Sequence, residues 1–223
     1  MGYNKREILI MRKDLKLAFL GPQGSGKGTQ ATLLARSYDY KILGMGAILR
    51  EVAEEDTARG RQVNALIDKG QLVPNEITFE ILKEYIDRLD PEQGLLFDGF
   101  PRNIGQAKFL DQMLVLDAVV EIAIDKQTAL ERLLFRLSCP AGHIYNLKTH
   151  PPKRVGICDV DGKPLEKRDD DIESAVKKRL EIYFSDTAQV IEHYQALDRL
   201  IRIDGLGSIK EVSRQLEDKL SKL

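Results

Sequence analysis

Gly21-Pro-Gln-Gly-Ser-Gly-Lys27-Gly-Thr29 combines glycines, a lysine and a threonine in the spacing G-x-x-x-x-G-K. Residues of these types can grip an oxyanion. Glycines let the backbone curl until several N–H groups face one phosphate. A helix starting at the lysine adds the positive end of its macrodipole. The lysine supplies a full charge for the β- and γ-phosphates of a nucleotide. Gly24, Ser25, Gly26, Lys27, Gly28 and Thr29 are therefore candidate nucleotide contacts. A second chemical group stands at Asp98, which closes the apolar run Leu95-Leu96-Phe97. A carboxylate at the open end of a parallel strand, beside a phosphate loop, suits magnesium held through water.

These residues need a scaffold that brings strand ends and helix starts together. Apolar runs alternate with helical patterns, as in an α/β fold with a mostly parallel sheet. The runs are Leu15 to Leu20, Leu95 to Phe97, Ala118 to Ile124 and Leu200 to Ile203. Leu130, Leu133, Leu134 and Leu137 follow i, i+3, i+4, i+7, which predicts a helix over Gln127 to Leu137. Arg132 and Arg136 would then project together from the opposite face. Ile172, Val176, Leu180, Tyr183, Thr187, Ile191 and Tyr194 predict one long helix from Asp171 to Ala196. Between them, Ser138 to Asp170 has no helical period and is punctuated by prolines and glycines. That is too long for an ordinary connection. It reads as an inserted subdomain of short strands, flanked by arginines as a cover over a charged ligand would be.

Bulk properties narrow the partners. Lys+Arg 34 against Asp+Glu 35 gives no broad basic field for a nucleic acid. Two cysteines, Cys139 and Cys158, are too few for a disulfide framework, and the cytoplasm is the natural compartment. No stretch reaches the roughly 20 apolar residues of a membrane span. Residues 1–14 read as a short N-terminal extension before a domain covering 15–223.

The chain resembles the adenylate kinase family over about residues 15–220. Gly21 to Gln30 has the form G-x-x-G-x-G-K-G-T-Q, with Gly28 where many phosphate loops place a magnesium-binding Ser or Thr. Asp98-Gly99-Phe100-Pro101-Arg102 with Gln106 looks like that family's D-G-F-P-R-x-x-x-Q signature, and Arg168-x-Asp170-Asp171 with Arg179-Leu180 its R-x-D-D…R-L element. The resemblance implies a P-loop kinase fold: a parallel sheet flanked by helices, a helical NMP-binding subdomain over 44–73 and a long lid over 135–171. It implies a monomer that uses ATP with Mg2+ and transfers the γ-phosphoryl group to AMP, giving two ADP. Such transfer requires positioning and charge neutralisation rather than a protein nucleophile. Guanidinium groups suit it, being permanently charged and bidentate. By resemblance Arg50 and Arg102 hold the acceptor phosphate, while Lys27, Arg136, Arg168 and Arg179 close on the transferring group. Arg168 and Arg179 also reach the acceptor. Arg132, Ile144, Tyr145 and Gly207 would complete the ATP site. Gly99, Phe100 and Pro101, with Gln71, Leu72, Val73 and Gln106 toward the base, would complete the AMP site.

Two departures leave alternatives open. In Gly44-Met45-Gly46-Ala47-Ile48-Leu49-Arg50, Met45 and Ala47 replace the family's Thr and Asp. Met can pack on a base but cannot read its edge by a strong hydrogen bond. CMP, UMP or GMP are therefore alternative acceptors. A non-catalytic nucleotide sensor is a remoter alternative, opposed by the retained Lys27, Asp98 and arginines. In the lid, Cys158-x-x-Asp161 looks like one zinc-ligand pair, but Cys139-Pro-Ala-Gly-His143 is one residue short for the other. A metal-free lid of buried thiols in a polar cluster is preferred. The alternative is structural zinc on Cys139, His143, Cys158 and Asp161.

Overall fold

The computed structural model describes residues 12–68, 73–167 and 171–223. Its centre is a five-stranded parallel sheet in the order β2-β3-β1-β4-β7. The strands are β1 (Lys16–Leu20), β2 (Lys41–Gly44), β3 (Leu95–Asp98), β4 (Ala118–Ala123) and β7 (Leu200–Asp204). Strands covered by helices on both faces carry apolar residues at successive positions, and β1 does so. Ala18 and Leu20 enter one core cluster with Leu43, Phe97, Val119, Val190 and Tyr194. Leu17 and Phe19 enter the other with Leu34, Leu96, Val120, Ile122 and Leu216. Helix α1 (Lys27–Tyr38) packs on the second face beside α9 (Ile209–Leu220). Ser208 starts α9 with a capping box to Glu211, and Val212, Leu216 and Leu220 turn inward at four-residue intervals. Each such burial contributes roughly 1.5–3 kcal/mol.

The remaining elements surround the carboxyl ends of these strands. Between β2 and β3 lie α2 (Met45–Ala53), α3 (Ala58–Asp68) and α4 (Asn75–Ile86). Helix α5 (Ile104–Met113) follows β3, and α6 (Lys126–Leu134) follows β4. The side chains of Asn103 and Asp125 cap α5 and α6. An antiparallel pair, β5 (Arg136–Ser138) with β6 (Ile144–Asn146), forms a second small sheet. Its surroundings are isolated bridges and turns, which accounts for the missing helical period. Cys139, Tyr145, Cys158 and Leu165 form its own small core.

Two helical expectations need correction. Helix α6 stops at Leu134 and Arg136 begins β5, so Arg132 and Arg136 do not share a helix face. Leu137 joins the small core of the second sheet instead of the α6 stripe. The long segment after residue 171 is not one regular helix either. It runs as α7 (Glu173–Ile182), a π-turn (Tyr183–Thr187) and α8 (Ala188–Ala196). Ile172, expected on the buried stripe, precedes α7 as its cap and is 58% exposed. Among the described residues no helix is long and apolar enough to cross a membrane.

Candidate active site

Between β1 and α1 the backbone itself forms the binding surface. At Gly21, with φ 151°, a Cβ would lie 2.6 Å from Ser25 Oγ and 2.7 Å from the Ile122 carbonyl oxygen. Gly26, at φ 93°, caps α1 in the left-handed region without a side-chain acceptor, and no acidic residue stands in the first turn. The first-turn N–H groups therefore keep their capacity for an anion. Lys27 sits at the mouth of this cradle, half-buried. Its pKa is pushed down to about 8, chiefly by desolvation; Asp98 opposes the shift, and Arg102 and Arg136 add to it. A bound polyphosphate would reverse this by supplying the missing negative charge.

Asp98 pairs with Phe19 across β3 and β1, beside the loop. Its Oδ1 is buried with no hydrogen-bond partner. A buried carboxylate oxygen left in this way fits a cation shell or its water. A Cβ on Gly28 would lie 3.4 Å from Asp98 Oδ2, so the glycine leaves the carboxylate clear where a larger residue would crowd it. Ser25 Oγ and Gln23 Oε1 are also buried without partners.

A cleft of about 940 Å3 extends from this cradle. All ten residues expected around ATP line it: Gly24, Ser25, Gly26, Lys27, Gly28, Thr29, Arg132, Ile144, Tyr145 and Gly207. Asp98, Arg136 and Arg179 line it too. Arg132 bridges the phosphate loop to the turn after β7, donating from Nη1 to Gly24 O at 3.3 Å and from Nη2 to Gly205 O at 2.9 Å. Arg136 and Arg179 meet on Asp171, which is fully enclosed. Arg136 grips it with Nε and Nη2, both at 2.7 Å, and Arg179 Nη2 donates at 3.0 Å. Burial alone would raise the Asp171 carboxyl, but Arg136 and then Arg179 hold it below the ordinary carboxylate range. The two guanidiniums are thereby set in place by the protein alone.

The turn after β3 carries the expected acceptor-side residues. Arg102 is fixed at three points. Its Nε donates to Gly99 O at 2.9 Å, its backbone N–H to Gln106 Oε1 at 2.8 Å, and its carbonyl accepts from Thr187 Oγ1 at 3.1 Å. Phe100 and Pro101 are buried beneath it. Gln106 Nε2 donates to Asn75 Oδ1 at 3.2 Å. Met45 is 5% exposed and belongs to the main core. Arg50 is exposed on α2 beside Gly46, and Val73 is half-buried. The expected contacts Gln71, Leu72 and Arg168 lie outside the described residues.

Cys139, His143, Cys158 and Asp161 come together in the small sheet, their donor atoms all within 4.8 Å of one another. Cys139 Sγ lies 3.2 Å from His143 Nδ1 and 3.5 Å from Asp161 Oδ2, while Cys158 Sγ lies 3.5 Å from His143 Nδ1. The Cys158 thiol and the Lys163 N–H hold the Asp161 carboxyl down at about 2. His143 thus reaches the cluster despite the altered spacing of the first pair.

Sequence reasoning passed over Asp171, Asn75 and Thr187 as site residues. Asp171 was visible inside the R-x-D-D element; Asn75 and Thr187 act only through contacts 31 and 85 positions away, which spacing cannot show.

A family model described as adenylate kinase matches residues 19–199. The chain belongs to the adenylate kinase family. A curated adenylate kinase of Streptomyces avermitilis is 35% identical over 215 residues, covering 93% of this chain and 98% of the relative. One from Thermoanaerobacter sp. (strain X514) is 38% identical, covering 92% and 98%. One from Archaeoglobus fulgidus is 36% identical, covering 94% and 99%. The chain is accordingly a nucleoside monophosphate kinase, and ATP:AMP phosphotransfer is the reaction these relationships support over the other acceptors. Adenylate kinases generally use Mg2+ with ATP.

Proposed function

We propose that the cleft between the phosphate loop and the small sheet holds ATP, and that the turn after β3 presents AMP to it. The observation that carries this reading is the convergence on one cleft of Lys27, the orphaned Asp98 oxygen and the preset Arg136–Asp171–Arg179 cluster. Lys27 and the first-turn N–H groups hold the β- and γ-phosphates. Asp98 would hold magnesium, which when bound would supply charge neutralisation on the phosphate oxygens. Arg102, anchored at three points, and Arg50 orient the AMP phosphate. An AMP phosphate oxygen attacks the γ-phosphorus, a new O–P bond forms, and the bond to the β–γ bridging oxygen breaks with its electron pair. ADP leaves on each side. Arg136 and Arg179, with Arg168, neutralise the charge spread over the transferring group.

The α2–α3 region serves as the NMP-binding subdomain (44–73) and the β5–β6 region as the lid (135–171). Lid closure excludes water, which would otherwise compete as acceptor. The lid cluster fits zinc: two thiols, an imidazole and a carboxylate are a tetrahedral donor set, already gathered within 4.8 Å. This geometry favours structural zinc over the metal-free lid. Free buried cysteines fit a reducing compartment such as the cytoplasm, and the balanced charge fits a protein without a nucleic-acid partner; by family resemblance the chain works as a monomer.

The test is ADP formation from magnesium-ATP with AMP, GMP, CMP and UMP offered separately. Strong preference for AMP is expected. Transfer to none of them, with ATP still bound, overturns the reading.

A further inference from the structure

Asn75 opens α4 directly after Pro74, and its side-chain oxygen accepts from Gln106. We infer that Asn75 is a positioning residue that fixes the hydrogen-bonding polarity of Gln106 and thereby restricts the acceptor to bases with an amino group beside a ring-nitrogen acceptor. This rests on the reading that Gln106 faces the acceptor base.

A glutamine amide has two oxygen lone pairs and two N–H groups. In the structure one of each is already engaged. Gln106 Oε1 accepts the Arg102 backbone N–H at 2.8 Å, and Gln106 Nε2 donates to Asn75 Oδ1 at 3.2 Å. The residue's own backbone is pinned as well, because Gln106 N donates to the Asn103 cap at 2.9 Å. One lone pair and one N–H remain, and their sides cannot be exchanged without breaking both flanking bonds. Adenine matches that pair: its amino group donates to Oε1 and its N1 accepts from Nε2. Cytosine offers the same pair in a smaller ring. Guanine and uracil present a carbonyl oxygen and a ring N–H, which would oppose acceptor to acceptor and donor to donor. Such mismatches leave buried polar groups unpaired and discriminate strongly. Met45 is buried in the core and Ala47 carries no polar group, so neither of these two side chains competes with this pair of bonds in setting the polarity.

The experiment compares kcat/KM for AMP, CMP, GMP and UMP in the full chain, in Asn75→Leu and Asn75→Ala, in Asn75→Asp, and in the control Gln106→Leu. Thermal melts confirm that each is folded. With the Asn75 anchor gone, Gln106 pivots about a single bond. The GMP-to-AMP ratio of kcat/KM should rise by about 10- to 100-fold in Asn75→Leu and Asn75→Ala, with KM for ATP within about twofold. Asn75→Asp keeps the acceptor oxygen and should keep the selectivity, which a purely structural role would not require. An unchanged ratio in both folded Leu and Ala variants, with Gln106→Leu altering it, overturns the role of Asn75 alone. An unchanged ratio in Gln106→Leu overturns the base-reading itself.

Discussion

Replacing Asp171 by Asn tests whether the arginine clamp is preset. The substitution removes one negative charge from a fully enclosed position while conserving volume. Asp171 receives two bonds from Arg136 at 2.7 Å and one from Arg179 at 3.0 Å. Removing one partner of a buried ion pair costs about 3–5 kcal/mol. Here the Arg136 and Arg179 side chains keep 14% and 27% exposure, so water screens part of the loss. The asparagine oxygen also retains a neutral bond, which leaves roughly 2–3 kcal/mol. For a chain of this size each kcal/mol lowers Tm by about 2–4 °C, so a fall of roughly 4–12 °C at pH 7 is expected. The pH dependence has a definite sign. Because the folded-state pKa of Asp171 is lowered, its stabilisation is present above the unfolded value, about 3.9. It is lost as the pH falls below that value through the folded pKa. Wild type and variant should therefore converge in acid. Loosened arginines should also lower kcat by about tenfold or more, since misplacement at the transferring group is costly. Calorimetric melts across pH with steady-state kinetics measure all three effects. A variant with unchanged Tm at pH 7 and unchanged kcat refutes the argument that Asp171 presets the clamp.

Other perturbations separate the remaining contributions. With the Lys27 pKa at about 8 in the free enzyme, ATP binding above that pH should take up a proton. Calorimetry in buffers of different ionisation heat reads this directly, and heats independent of buffer at pH 9 would refute it; Lys27→Met should lose at least about a hundredfold in kcat/KM. Gly21→Ala places a Cβ 2.6 Å from Ser25 Oγ and 2.7 Å from Ile122 O, whereas a Cβ on Gly26 meets nothing within 4 Å. Gly21→Ala should therefore unfold at clearly lower temperature than Gly26→Ala, which carries only left-handed backbone strain of about 1–2 kcal/mol. If the lid cluster binds zinc, unchelated protein should contain close to one zinc per chain, and Cys158→Ser should lose it together with several degrees of Tm. Metal analysis finding well under one per chain would remove that assignment.

The difference between what the sequence discloses and what it hides is physical at each site. The phosphate cradle was legible because local backbone chemistry forms it: the tight approach at Gly21, the left-handed cap at Gly26 and the start of α1 fall within nine residues. The strands were legible because β1, β3 and β4 are covered on both faces and so carry mostly apolar runs, with Glu121 inside β4 and Asp98 closing β3. Helix α2, by contrast, was expected only through the resemblance, since the inward set Met45, Ile48 and Val52 was not read from spacing, and neither was the short β2 before it. Periodicity failed where one geometry passes into another. The leucine spacing continued through Leu137 although the helix ends at Leu134, because a strand residue can extend a helical stripe by coincidence of position. The π-turn at Tyr183–Thr187 was invisible for a related reason: Tyr183, Thr187 and Ile191 are spaced four apart, which suits a regular helix equally well.

That π-turn bears on the site. It ends at the buried Thr187, whose hydroxyl reaches the Arg102 carbonyl. Arg179 precedes Thr187 by eight positions on the same continuous helical segment. An extra residue in one helical turn shifts every later side chain around the axis, so the turn sets which face of α8 meets the loop after β3. The acceptor-side arginine and the clamp arginine thus share a support that no local motif announces. Asp171 plays a like part, joining Arg136 from one end of the inserted sheet to Arg179 beyond the other; its motif marks the residue but not this bridging contact. In this chain the groups proposed to touch phosphate could be read from type and spacing. The groups that fix those groups in place are assembled by long-range contacts, and only the folded structure identifies them.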